Sequence, residues 1–147
     1  MILSNSRTPE WSWLSNFHPC DIAYEGIRFP SVENFYQSMK FDMTVWYRFI
    51  NITAAESKTL ADSMEITTPN WKVVRHDVMR IGLRLKFQHP ELRQRLLDTG
   101  VEDIYHLSPW DLHWGVNREM VGENVLGKML MEIRETAFAS QNNLFSM

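Results

Sequence analysis

The stretch SVENFYQSMKF, residues 31–41, sets the reading of the fold. Pro30-Ser31 is a helix start signal. The Ser31 hydroxyl can accept from the first-turn N–H groups, and no Gly or Pro interrupts the ten residues that follow. At roughly 100° per residue, Glu33, Tyr36, Gln37 and Lys40 fall within about one third of the helix circumference. Phe35 and Met39 point nearly opposite, toward a core, with Val32 between the two sides. The stripe mixes an acid, a phenol, an amide and an amine. Two readings are open: a solvated face whose Glu33 and Lys40 complement the two ends of the helix dipole, or one wall of a pocket.

Upstream of this helix, Asp21-Ile22-Ala23-Tyr24 and Ile27-Arg28-Phe29 flank Glu25-Gly26 and predict a small β-hairpin. Downstream the pattern stays helical. Trp46, Tyr47, Phe49 and Ile50 read as a short helix. Thr53-Ala54-Ala55-Glu56 has the form of a capping box, opening a helix to about Met64. Asn70 is placed to cap a further one, in which Trp71, Val74, Val78, Ile81 and Leu85 recur with helical spacing to about Phe87. Pro90 opens another, which Gly100 ends. Val125, Leu126, Met129, Leu130 and Ile133 mark a last helix from about Gly122 to Phe138. The expectation is a mainly α, compact multihelical single domain spanning residues 1–147, with a small β-hairpin near its N-terminus.

The 147 residues are enough for one core, and 44% apolar with 22% charged residues is an ordinary globular balance. The single Cys20 cannot form an internal disulfide, which suits a reducing cytosol, so the expected location is cytoplasmic. The first residues carry no long apolar run that would read as a signal peptide, and no stretch approaches a membrane span. A net charge of −3 without a basic block argues against tight nonspecific duplex DNA binding. Six Trp and eight Phe either build the core or line a pocket that stacks a flat ring.

Gly122-Glu-Asn-Val-Leu-Gly127-Lys128 fits the phosphate-loop pattern literally, but Met129 stands where a hydroxyl should hold magnesium, and no strand precedes it. A helix start at Gly122 could still offer N–H groups to an anion. The five histidines show no metal-ligand spacing, and Cys20 has no flagged base beside it, so neither a metal nor a cofactor is assigned. The loop Ser108-Pro-Trp-Asp-Leu-His-Trp-Gly115 carries Trp110, Asp111 and Trp114. Either both indoles plug the core, or they stack a ring beside a hydrogen-bonding acid.

Six motifs occur in order: LSNFHP, GIRFPSVENFYQSMKF, AAESK, WKVVRHDVMRIGLRLKF, SPWDLHWG and GENVLGKMLMEIRE. Together, from about Trp13 to Glu135, they closely resemble the NADAR, or YbiA-like, family. The resemblance implies a mostly helical fold and N-glycosidase activity on a small nucleotide-like N-riboside. That substrate is either a ribosylamino-pyrimidine phosphate of riboflavin synthesis or ADP-ribose attached to guanine, which would make ADP-ribosylated nucleic acid a partner. It also implies that the stripe faces a pocket. Lys40, Glu33 and Asp111 are the catalytic candidates. Trp13, Ser15, Asn16, Phe17, Tyr36, Gln37, His106, Trp114, Gly115, Arg118 and Asn124 are the substrate-binding candidates. His106 departs from the pattern, standing where relatives often carry Glu.

Cleavage develops positive charge at the ribose C1. A carboxylate can stabilise that charge, or a neutral Lys40 amine can attack C1 and form a Schiff base. Glu33 would then shuttle a proton or anchor the ribose, and Asp111 would activate water or hold a hydroxyl. Trp114 would stack on the base and Arg118 meet a phosphate. A rival reading keeps the pocket without chemistry, as a sensor of ADP-ribose or a related nucleotide. The blandest makes every aromatic part of the core.

Overall fold

A computed structural model describes the backbone of residues 1–146 and the side chains of residues 1–142. The chain separates into two compact units, residues 16–86 and residues 1–15 together with 87 onward.

The unit of residues 16–86 begins with the expected hairpin, β2 (Ile22–Tyr24) antiparallel to β3 (Ile27–Phe29). Glu25 and Gly26 both take positive φ, 50° and 76°, the requirement of the tight turn that matches strand twist. Helix α1 (Val32–Ser38) follows, its first turn capped by the Ser31 hydroxyl, which accepts from the Asn34 N–H. A 3₁₀ segment covers Met43–Phe49, where the sequence suggested a short helix. Helix α2 (Ala54–Asp62) carries the full capping box of Thr53 and Glu56, and α3 (Trp71–Lys86) starts with the Val73 and Val74 N–H groups on the Asn70 carbonyl.

α1 lies at the middle of this unit, packed on both α2 and α3, and all seven of its residues are buried. Phe29 and Phe35 meet edge to face at 5.7 Å, and Tyr24 and Trp46 extend the same aromatic core. Gly82 lets α3 approach closely: a Cβ there would meet Phe35 and Val32 at 3.0 and 3.1 Å. Asn34, wholly buried, donates to the carbonyls of Phe49 (2.8 Å) and Ile52 (2.9 Å) and so ties the following connection to α1.

The helix expected over residues 31–41 stops at Ser38. Backbone bonds there shorten to the 3₁₀ pattern, Lys40 N–H to Gln37 O and Phe41 N–H to Ser38 O, so Lys40 sits on a turn after α1.

The other unit holds a feature the sequence reading missed. β1 (Ile2–Ser4) pairs in parallel with β4 (Ile104–His106), Ile2 opposite Ile104. A 3₁₀ turn covers Ser12–Leu14, and α4 spans Pro90–Asp98 with Gly100 at a φ of 66° just beyond it. Helix α5 (Val125–Ser146) packs on α4 and β4. It starts three residues later than the expected Gly122, because Gly122 and Asn124 hold φ of 143° and 53°, outside helical geometry. The anion site suggested at Gly122 is also corrected. The N–H groups of Glu123, Asn124, Val125 and Leu126 are taken by the carbonyls of Leu112, Gly115, His113 and Trp114, at 2.7–3.2 Å. Among the described residues no helix is long and apolar enough to cross a membrane, and no group of three His, Cys, Asp or Glu is placed to hold a metal ion.

Candidate active site

The polar stripe of α1 is not a solvated face. Glu33 and Tyr36 are each 8% exposed and Gln37 only 4%. Burying a carboxylate this deeply is costly unless a partner or a proton compensates. Gln37 supplies one partner, its Nε2 donating to Glu33 Oε1 at 2.8 Å, an (i, i+4) contact that the helix itself sets up. Asn16 supplies backbone support, its carbonyl accepting the Glu33 N–H at 3.0 Å.

Lys40 is held from the backbone outward. Its carbonyl accepts from the N–H groups of both Thr67 and Thr68 at 3.0 Å, and the Thr68 hydroxyl donates to the Met39 carbonyl at 2.7 Å. The turn after α1 is thereby fixed although it lacks helical bonds. From it, the Lys40 ammonium lies 5.8 Å from the centroid of the Tyr36 ring, and Tyr36 in turn meets Trp71 at 5.2 Å.

The electrostatics push the two candidate catalytic groups toward their neutral forms. Burial raises the Glu33 carboxyl above its usual range. The Gln37 hydrogen bond and the charges of Lys58 and Lys40 pull it back, and Asp62 pushes it further up. Burial lowers the Lys40 ammonium. Asp62 and Glu33 oppose that, while Lys58 and Arg75 lower it further by like-charge repulsion. An acid held up and an amine held down, within mutual electrostatic reach, form a pair suited to giving and taking a proton.

Two buried oxygens complete the polar groups of this unit's site. Asn16 Oδ1 and Gln37 Oε1 have no hydrogen-bond partner among the described residues. Each such acceptor costs about 1–3 kcal/mol left unpaired. Phe17 is half-buried along a separate hollow of about 560 Å³, lined also by Pro30, Asn34, Ile52 and Thr53.

The remaining candidates belong to the unit of residues 1–15 and 87 onward. Asp111 is exposed, and one of its carboxylate oxygens accepts from the His113 and Trp114 N–H groups at 3.1 and 3.0 Å, bracing the loop. The loop's two indoles divide between the two readings: Trp114 is 8% exposed, and Trp110 is 94% exposed. Asn124 has both ends of its amide engaged on β4, donating to the Ile104 carbonyl and accepting the His106 N–H. Gly115 allows the loop to touch β4, since a Cβ there would lie 2.4 Å from the His106 carbonyl oxygen. Burial pushes the His106 imidazole down, against the Asp111 charge and a hydrogen bond to the Ser4 backbone, and its Nδ1 is buried without a partner among the described residues. Trp13 is buried with its indole N–H on the Glu10 carbonyl and the Arg95 guanidinium 4.6 Å from its ring centroid. Ser15 is buried, and Arg118 is exposed on a turn whose N–H groups Asn117 Oδ1 accepts.

Sequence reasoning missed Lys58, Asp62, Trp71 and Arg75. The signal was available as (i, i+4) pairs, Lys58 with Asp62 on α2 and Trp71 with Arg75 on α3. Nothing in the sequence stated that Lys58, Asp62 and Arg75 act on Lys40 or that Trp71 packs on Tyr36.

Known proteins resemble this chain along most of its length. The NADAR domain model matches residues 4–137. N-glycosidase YbiA of Escherichia coli K12 is 32% identical over 134 residues, covering 88% of this chain and 84% of that protein. A riboflavin biosynthesis protein of Vibrio vulnificus is 35% identical over 127 residues, covering 84% of this chain but only 35% of its own length, so the chain spans about a third of it. The NMR structure of E. coli YbiA superposes with a TM-score of 0.84 at 30% identity, over 95% of this chain and 86% of that one. A mostly helical architecture with small β elements, a domain match along nearly the whole chain and relatives above 30% identity lead to one assignment: the chain belongs to the NADAR domain family.

Proposed function

We propose that the protein is an N-glycosidase acting on a ribosylamino-pyrimidine phosphate, with Lys40 as nucleophile and Glu33 as proton carrier. The reading is supported by the N-glycosidase named among its relatives and by the riboflavin biosynthesis protein beside it. The observation that carries it is the Glu33–Lys40 pair, an acid raised and an amine lowered by burial in one unit.

The chemistry follows from that pair. A ribosylamine opens when its nitrogen lone pair expels the ring oxygen, giving an iminium at C1. Neutral Lys40 Nζ adds to C1. The proton that Lys40 Nζ releases on adding goes to the ring oxygen, leaving it as a hydroxyl; the leaving nitrogen takes a proton from the Glu33 carboxyl, and its bond to C1 breaks, leaving C1 bound to Lys40 as a protonated Schiff base. Water adds to C1, Glu33 takes up the proton, and Lys40 departs as the free sugar aldehyde forms. The Tyr36 ring, itself packed on Trp71, lies beside the amine, and the amine's partial burial favours the neutral nucleophile. The proposed setting is cytoplasmic, in keeping with Cys20 as a free thiol.

The test is product mass spectrometry on a ribosylamino-pyrimidine phosphate, ADP-ribosylated guanine in DNA, NAD and free ADP-ribose, with wild type and Lys40→Ala side by side. Release of pyrimidine by wild type, its loss in the folded variant, and a borohydride-trapped sugar mass on the Lys40 peptide are expected. Cleavage of the guanine adduct alone would reassign the substrate. Cleavage without any trapped adduct would refute the lysine route, and tight nucleotide binding without cleavage would refute the enzyme.

A further inference from the structure

The two unpartnered oxygens around Glu33 specify more than the presence of a ligand. Asn16 and Gln37 are each more than nine-tenths buried, and in both the amide nitrogen has a partner. Gln37 Nε2 is committed to the Glu33 carboxylate, and Asn16 Nδ2 points to Met79 Sδ at 3.3 Å. Turning the Asn16 amide over would set its oxygen against a thioether sulfur, and turning the Gln37 amide over would set its oxygen against Glu33 whenever that carboxyl is ionised, an acceptor in both cases. Oδ1 of Asn16 and Oε1 of Gln37 are therefore the atoms left for a ligand. Both residues are tied to Glu33, one through its side chain and one through its backbone N–H.

We infer that Asn16 and Gln37 are specificity-determining acceptors for the ribose hydroxyls, so that the sugar recognised at Glu33 must be ribo rather than 2-deoxyribo. This rests on the N-glycosidase reading, which brings C1 to Lys40. Around this cluster the cations Lys40, Lys58 and Arg75 already stand beside the carboxyls of Glu33 and Asp62, so neutral donors complete the two carbonyl oxygens without adding charge. Two neutral donors lie near C1: the glycosidic N–H, which departs with the base, and the 2-hydroxyl on the next carbon, which stays in place through every step and is the donor that lasting acceptors can read. A buried acceptor that meets no donor keeps its full desolvation penalty, so a deoxy sugar is discriminated by a missing hydrogen bond rather than by a clash.

The experiment is calorimetric titration of ribose 5-phosphate and 2-deoxyribose 5-phosphate into wild type, Gln37→Met and Asn16→Leu, each checked for folding by circular dichroism. Wild type should prefer the ribo sugar by at least about tenfold, the equivalent of one hydrogen bond. Each folded variant should lose most of that preference by weakening the ribo sugar alone. Equal wild-type affinity for the two sugars, no binding of either, or a preference that survives in a folded variant would overturn the inference. Base release from the ribosylamino-pyrimidine phosphate, measured in parallel, separates the two claims. Sugar preference without base release sinks the enzyme and keeps the acceptors, and base release without preference does the reverse.

Discussion

Replacing Lys86 by methionine should stabilise the protein and remove a slope from its stability profile. Lys86 closes α3 with its side chain wholly buried. Burial pulls its ammonium from 10.5 down to about 7, with the charge of Cys20 acting the other way. The folded protein thus gives up this proton about 3.5 pH units before the unfolded chain does, and at about 1.36 kcal/mol per unit the full penalty approaches 5 kcal/mol. Between about pH 7 and 10.5 the unfolded chain binds more protons than the folded one, so stability rises with pH through that window and the penalty is complete below it. From pH 6.5 to 8.5 wild type should gain about 2 kcal/mol. Cys20, whose thiol burial raises, works in the opposite sense only as pH approaches the ordinary thiol value of 9.0. Methionine fills the same volume without a charge, and after allowance for the polar interactions that the amine makes it should add about 1–4 kcal/mol at pH 6.5. Urea unfolding of both proteins at the two pH values measures this. A variant weaker than wild type at pH 6.5, or one that keeps the wild-type slope, would refute the reasoning.

Two further outcomes follow from the candidate residues. Glu33→Gln keeps an acceptor for Gln37 Nε2 but removes the proton carrier, so kcat should fall by about 10²–10⁴-fold. Because the folded state raises the Glu33 carboxyl, the unfolded chain ionises first as pH rises and the ionised residue weakens the fold; the variant's Tm at pH 7 should therefore equal or exceed wild type, and a Tm several degrees lower would contradict this. Gly115→Ala sets a Cβ 2.4 Å from the His106 carbonyl oxygen and 3.0 Å from its ring Cδ2. A backbone atom of a strand cannot turn away, so stability should drop by about 1–3 kcal/mol, and an unchanged thermal midpoint would show that the loop moves freely against β4.

The elements with strong local chemistry were legible in the sequence. The Glu25-Gly26 turn, the Thr53–Glu56 capping box and Pro90 with Gly100 all act where their residues stand, through bonds to near neighbours. The parallel pairing of β1 with β4 was not legible, because a three-residue strand carries no period and its partner lies about a hundred residues away. The α1 stripe was legible as a stripe. Its burial was not, since α2 and α3 cover it, and composition around residues 31–41 could not reveal a lid made elsewhere in the chain. The start of α5 misled for a related reason: Val125 and Leu126 continue an apolar pattern, but positive φ at Asn124 and the carbonyls of residues 112–115 decide where helical bonds begin. Lys58, Asp62 and Arg75 are ordinary surface letters until the packing of three helices gathers them about one amine.

The β1–β4 pairing also bears on how the chain is made. Ile2 leaves the ribosome early, and its partner Ile104 is not synthesised until a hundred residues later. At about 5–20 residues per second that is a wait of roughly 5–20 s. Residues 16–86 are complete within that interval and hold their own hairpin and three helices, so they are able to fold while β1 is still an unpaired edge. Nascent chains stalled before residue 104 should therefore protect α1 from protease while Ile2–Ser4 remains open to cleavage and to capture by chaperones.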